Sequence, residues 1–214
     1  MLKYSCISGL VAYISYFGGW YHNAKLIKTE SETSINLIIY RGGRKLTSGI
    51  YLKKFLSEDD FQYFLTLVSN EKVMEMHFET VFQLEDAKRY YKHLLENNND
   101  HKDFGSFKVF ETATNNFIGL GELSISEDLT EADIEFVLLP DYRGNGYGRE
   151  IVGQLLKKAE ETKSIQRVRA VINPNFIASK KVLLSTGFVS CEIFESDNGL
   201  PGEILIKEII APVI

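Results

Sequence analysis

The segment Asp133-Ile-Glu-Phe-Val-Leu-Leu-Pro-Asp-Tyr-Arg-Gly-Asn-Gly-Tyr-Gly-Arg-Glu150 constrains this chain more than any other. An apolar run enters a short loop with Gly144, Gly146 and Gly148, and a helical stripe follows at once: Ile151, Val152, Leu155, Leu156 and Ala159. A strand feeding a glycine loop that opens a helix leaves backbone N–H groups free to converge on an anion, and the helix dipole favours negative charge there. Glycine lets the backbone approach a ligand with no Cβ between them, and Arg143 supplies a fixed positive charge. A turn that merely joins strand to helix does not need three alternating glycines, so anion binding is the favoured reading. Two familiar phosphate loops do not fit. A P-loop closes on Gly-Lys-Ser/Thr, but here Gly148 is followed by Arg149 and Glu150. A dinucleotide fingerprint needs a glycine where Arg149 stands.

Around this segment the chain reads as α+β. Gly49 to Phe55 is a strand, and Ser57 to Asp60 looks like a capping box ahead of the stripe Phe61, Phe64, Leu65 and Val68. Leu84, Ala87, Tyr91, Leu94 and Leu95 mark a helix that ends in the Asn-rich stretch 97–99. Strands at 106–112 and 117–124 flank a turn at 114–116, and 132–139 continues the meander. A crossover follows: helix, strand 167–172, helix 177–184, then a hairpin of 187–195 and 203–210 around Asp197-Asn198-Gly199. With 214 residues, 44% of them hydrophobic, the chain suffices for one domain with an appendage.

The appendage is residues 1–48, aromatic-rich and then basic. Tyr4 to Tyr21 is an uncharged run that touches the lower length limit of a membrane span, but Ser, Gly and Tyr dilute it. An extension that packs on the body or is poorly ordered is favoured over membrane contact. Ile35 to Tyr40 reads as a strand. Residues 1–48 carry six Lys/Arg against Glu30 and Glu32, whereas 49–214 carry 18 basic and 27 acidic side chains. The acidic body argues against a nucleic-acid partner and for a cationic substrate such as an amine. Cys6 and Cys191 fit no metal spacing, no metal is expected, and a reducing, cytoplasmic location follows.

At Arg143-Gly-Asn-Gly146-Tyr-Gly148 the sequence resembles the GNAT N-acetyltransferases, whose loop reads Arg/Gln-x-x-Gly-x-Gly/Ala. The resemblance spans residues 49–211 and includes Asn173-Pro174 to Ser179 and Gly187-Phe188. Tyr51 to Asp60, Val73-Met74, Leu84 to Ala87 and Ile118-Gly119 are similar to the Rim-type subgroup, which modifies ribosomal-protein N-termini. The resemblance implies a GNAT fold over 49–214, a mixed and mostly antiparallel sheet with helices on both faces. It also implies acetyl-CoA as cosubstrate and direct acetyl transfer to an amine in a ternary complex, the acceptor being a small molecule or a protein N-terminus. Arg143, Gly144, Asn145, Gly146, Tyr147 and Gly148 would hold the pyrophosphate. Val137, Leu138 and Leu139 would pair with the pantetheine arm, one backbone N–H steadying the oxyanion, and Ser179 would lie near the cofactor's distal end. The chain departs from the family at Phe176, where an Asn is usual (Asn175 adjoins it), and at Leu183, where many relatives carry a tyrosine acid. A non-catalytic GNAT-fold module that binds CoA or a partner is the alternative.

Amine attack needs a base. Alternation places Asp133 and Glu135 on one face of their strand, and pairing through the loop 126–131 sets Glu122 opposite Glu135. Neighbouring carboxylates raise one another's pKa and attract a cation. Asp133 and Glu135 are therefore the candidate bases, with Glu122 as substrate contact; a solvated acidic strand face is the competing reading. His77 and Glu79 are weaker candidates for the acceptor pocket.

Overall fold

Alternating apolar positions downstream of residue 49 place seven strands in one sheet. The computed structural model describes residues 6–7, 10–11, 23–27, 36–41, 44–45, 49–77, 81–196 and 199–209. The chain divides into two compact units, Met1–Leu46 and Thr47–Ile214. In the first, β1 (Cys6–Ile7) pairs with β2 (Leu10–Val11), and β3 (Asn23–Ile27), β4 (Asn36–Arg41) and β5 (Arg44–Lys45) form an antiparallel sheet. Most of the uncharged run 4–21 lies outside the described residues. Among the described residues no helix is long and apolar enough to cross a membrane.

The second unit opens with β6 (Ile50–Lys54), a 3-10 turn (Glu58–Asp60), and the helices α1 (Phe61–Val68), α2 (Glu71–His77) and α3 (Leu84–Asp100). The meander β7 (Gly105–Glu111), β8 (Phe117–Ile125) and β9 (Glu131–Leu138) follows. Then come α4 (Tyr147–Glu161), β10 (Arg167–Ile172), α5 (Ile177–Ser185), β11 (Val189–Glu195) and β12 (Pro201–Glu208). The sheet order is β11-β12-β10-β9-β8-β7-β6, with β9 and β10 its one parallel pair. This is the α+β arrangement expected, a mixed and mostly antiparallel sheet.

One core joins the sheet to α4 and α5 through Ile134, Tyr147, Ile151, Leu155 and Leu183. A second joins it to α1, α2 and α3 through Phe64, Met74, Tyr91, Leu120 and Val137. Gly121 allows α4 to lie close, since a Cβ there would stand 2.9 Å from Ile151 Cγ2.

Two local expectations are corrected. Ser57 makes no side-chain cap bond, and it precedes the 3-10 turn rather than α1. The Asp60 carboxylate instead accepts the Leu56 N–H at 3.0 Å and the Lys108 ammonium. Burial alone would push Asp60 up, but the bonds from Lys108 and the Leu56 amide hold it below its ordinary value. The third helix does not end at 97–99, because Asn98 continues the buried stripe of Ala87, Tyr91 and Leu94. Its Nδ2 donates to Phe55 O at 2.8 Å and Ser106 O at 3.0 Å, and its Oδ1 accepts the Ser106 N–H at 2.8 Å. A polar residue in an apolar stripe thus pins α3 to β7 and to the residue that follows β6. Asn98→Ala strands these buried groups and is expected to cost about 2–3 kcal/mol, read as a lower urea midpoint at unchanged m-value.

Candidate functional site

The site begins where two strands part. β9 and β10 pair only over Glu131–Asp133 and Arg167–Arg169, and beyond that register they separate. The last pair is fastened by a bidentate ion pair: Arg169 Nε donates to Asp133 Oδ1 at 2.6 Å and Nη2 to Oδ2 at 2.8 Å. Behind it, Arg167 bridges Glu131 and Glu208, both at 3.0 Å. The parted strands open a cleft of about 450 Å³, lined among others by Glu135, Phe136, Ile172, Asn173, Phe176 and Ser179.

In an antiparallel pair the backbone groups of alternate residues face alternate sides. The Leu139 N–H donates to Ile118 O at 2.9 Å, so Leu139 and Val137 bond towards β8, and Phe136 and Leu138 turn their amides to the parted side. Of the three residues expected along the pantetheine arm, only Leu138 therefore offers its amide, and Phe136 joins it.

Beyond the end of β9 the glycine loop enters α4. Gly144 and Gly146 have φ of +78° and +93°, values that favour glycine. A Cβ on Gly148 would lie 3.3 Å from both Phe136 and Val182, so this glycine lets α4 start against β9. Among the described residues, the amides of Gly144, Asn145, Gly146 and Gly148 have no protein acceptor. The Arg143 amide is already bonded to Pro140 O. Its guanidinium braces the loop, donating to Leu138 O at 3.0 Å and Lys72 O at 3.1 Å. Tyr147 contributes its backbone; its side chain is buried and donates its hydroxyl to Glu111, which also accepts Thr114 Oγ1 at 2.6 Å. This cradle of amides at the start of a 15-residue helix suits a pyrophosphate, and the cleft behind it suits an extended arm.

The acids occupy the α1–α3 face. Glu122 and Glu135 are direct cross-strand partners, the register expected from the loop between their strands. Both line a second cavity of about 60 Å³, walled by apolar groups including Leu67, Val73, Leu120 and Val137. Glu135 borders this chamber and the cleft alike. Ser106 Oγ donates to Glu122 Oε2 at 2.5 Å. Burial pushes the Glu122 carboxyl above its ordinary value; the Ser106 bond opposes this and the charge of Glu135 adds to it. The Asp133 carboxylate, by contrast, is engaged by Arg169.

The acetyltransferase (GNAT) domain profile matches residues 50–189. The chain belongs to the GNAT acetyltransferase family. Solved structures share the fold at low identity. A GNAT-family acetyltransferase from Bacillus anthracis superposes with a TM-score of 0.65 at 18% identity, covering 75% of this chain and 95% of that one. Spermidine N-acetyltransferase from Vibrio cholerae, in complex with CoA and spermine, gives 0.62 at 19%, covering 76% and 97%. RimL, a ribosomal L7/L12 α-N-protein acetyltransferase in complex with CoA, gives 0.66 at 15%, covering 78% and 97%. No curated protein matches the sequence.

Within this GNAT domain, Ser179 is half-buried on α5 at the cleft, beside Phe176 and the fully buried Leu183. Asn175 is exposed and does not line the cleft, so Asn173, which does, is the nearer amide to a bound arm. The side chain of His77 and all of Glu79 lie outside the described residues. Sequence reasoning missed Arg169, whose link to Asp133 depends on the parallel register, and Ser106, which needs the β7–β8 register. It also missed Lys180, whose Nζ meets the fully buried Glu203 at 2.8 Å and ties α5 to β12.

Folding raises the Glu122 pKa above its ordinary value of 4.5, so the folded state binds this proton more tightly than the unfolded chain. The ionisation penalty is absent below the ordinary value and complete once pH passes the raised one. Glu122→Gln is therefore expected to raise Tm by about 2–4 °C near pH 8 and to lose that gain near pH 4. Thermal melts across pH check this.

Proposed function

We propose that this GNAT domain is an acetyl-CoA-dependent N-acetyltransferase acting on a primary amine. The observation that carries the reading is the position of Glu135, which borders both the cleft behind the amide cradle and the chamber floored by carboxylates. When bound, acetyl-CoA supplies a thioester carbonyl that an amine can attack, with the CoA thiol as leaving group. The amides of Gly144, Asn145, Gly146 and Gly148 receive the pyrophosphate. Those of Phe136 and Leu138 align the arm and face the carbonyl oxygen, where preorganised N–H donors act most strongly. Asp133, read from sequence as a base, serves with Arg169 as the clasp that fixes where the cleft begins.

Glu122 and Glu135 draw in the acceptor as a cation, and Glu135, nearer the cleft, takes the proton that frees the nitrogen lone pair. The buried Glu122 sets a second carboxyl beside Glu135 in the chamber, and the apolar walls limit water. Leu183 has no hydroxyl to give, so the proton that reaches the departing sulfur comes from solvent in the cleft. The similarity of Tyr51–Asp60 to the Rim-type opening supports a place near that subgroup, with a protein N-terminus or a small amine as acceptor in the cytoplasm. A second reading, a CoA-binding module without turnover, is favoured by Phe176 and Leu183.

Calorimetric titration with acetyl-CoA, paired with an assay of thiol release, separates the readings. Gly146→Glu, which puts bulk and charge into the cradle, abolishes binding without unfolding the chain. Glu135→Gln retains binding but loses about 10²–10⁴-fold in kcat/KM. Unchanged turnover in Glu135→Gln contradicts the assignment of the base, and binding without turnover in wild type supports the module.

A further inference from the structure

A third cavity, about 300 Å³, lies outside the carboxylate chamber and is lined by Val81, Phe82, Asp86, Arg89, Tyr90 and His93. Asp86, Arg89, Tyr90 and His93 recur at helical spacing along one face of α3. Phe82 and Tyr90 line this groove and the inner chamber alike, their ring centroids 5.6 Å apart. They are the partition between the two spaces. The Tyr90 phenol is pushed above its ordinary value by burial and then by the charges of Glu135 and Glu122, which places it in the field of both carboxylates.

The two spaces differ in what they offer a cation. The inner chamber has two carboxylates and otherwise apolar walls. In the outer groove the one carboxylate, Asp86, is held by Arg89 at 2.5 Å, and His93 faces Glu96 at 3.1 Å. A second ammonium on the same acceptor would meet Arg89 rather than a vacant acid. A small chamber behind two aromatic rings also admits a slender methylene stem more readily than a branched or bulky one.

The geometry points to an acceptor that is a monoamine on an unbranched apolar stem, its amine in the inner chamber, with Phe82 and Tyr90 selecting for width and Arg89 against polycations. This rests on the transferase reading above and names its substrate class. It separates this chain from the spermidine N-acetyltransferase that shares its fold. Of the two acceptor types named above this favours the small amine, because peptide N-termini other than glycine carry a branched α-carbon that the same partition disfavours.

The full chain is assayed by thiol release from acetyl-CoA with n-butylamine, 2-phenylethylamine, cyclohexylamine, spermidine and a short peptide with a free N-terminus. The expected result is a kcat/KM for the two unbranched monoamines at least about tenfold above that for spermidine or the peptide. Arg89→Ala, at an exposed helix position, releases Asp86 and is expected to raise kcat/KM for spermidine about tenfold while leaving n-butylamine unchanged. Tyr90→Ala is expected to favour cyclohexylamine over n-butylamine by about the same factor. Spermidine or the peptide equalling the monoamines, or either variant leaving its ratio unmoved, overturns the proposal. Acetyl-CoA binding with no amine consumed refutes the transferase reading itself, and the substrate class falls with it.

Discussion

The separation of β9 from β10 is the constraint on which the rest of the site depends. A continuous parallel ladder would consume the amides of Phe136 and Leu138 and leave no cleft. The Asp133–Arg169 ion pair holds the strands together at their last shared register, and beyond it the chain directions diverge. With both side chains more than 40% exposed, its contribution lies more in position than in stability. From that apex the cleft runs to the start of α4, which Gly121 and Gly148 bring close to the sheet.

The sheet then separates two sets of groups. On the α4–α5 face are the loop amides, Phe176, Ser179 and Leu183; on the α1–α3 face are Glu122 and the apolar chamber. Glu135 reaches both because its side chain points to the acid face at a height where the sheet has already opened. Arg143 links the same regions mechanically, clamping the end of β9 and the carbonyl of Lys72 on α2.

Much of this was legible in the sequence because it is local. Three alternating glycines between a strand and an amphipathic helix announce an anion cradle before any fold is known. The Glu122–Glu135 pairing follows from a short loop between antiparallel strands. The ion pair of Asp133, a candidate base in the sequence, was not legible because its partner, Arg169, arrives across a helical crossover whose parallel register no local pattern records. Asn98 looked like a loop residue because its chemistry suits one, whereas burial with three hydrogen bonds made it a core fastener. Which way an amide faces at Leu138 or Leu139 depends on ladder phase, and hydrophobicity carries no trace of that. The shared lining by Phe82 and Tyr90 was likewise hidden, since it depends on two cavities that only the fold creates.

On the function proposed above, acetyl-CoA binds in the cleft between β9 and β10 with its phosphates on the loop before α4. Hydrogen–deuterium exchange of the full chain with and without acetyl-CoA tests it most directly. New protection is expected at the amides of Phe136, Leu138, Gly144, Asn145, Gly146 and Gly148, with α3 little changed. Protection centred on α3 or the outer groove, with the loop still exchanging freely, would contradict it.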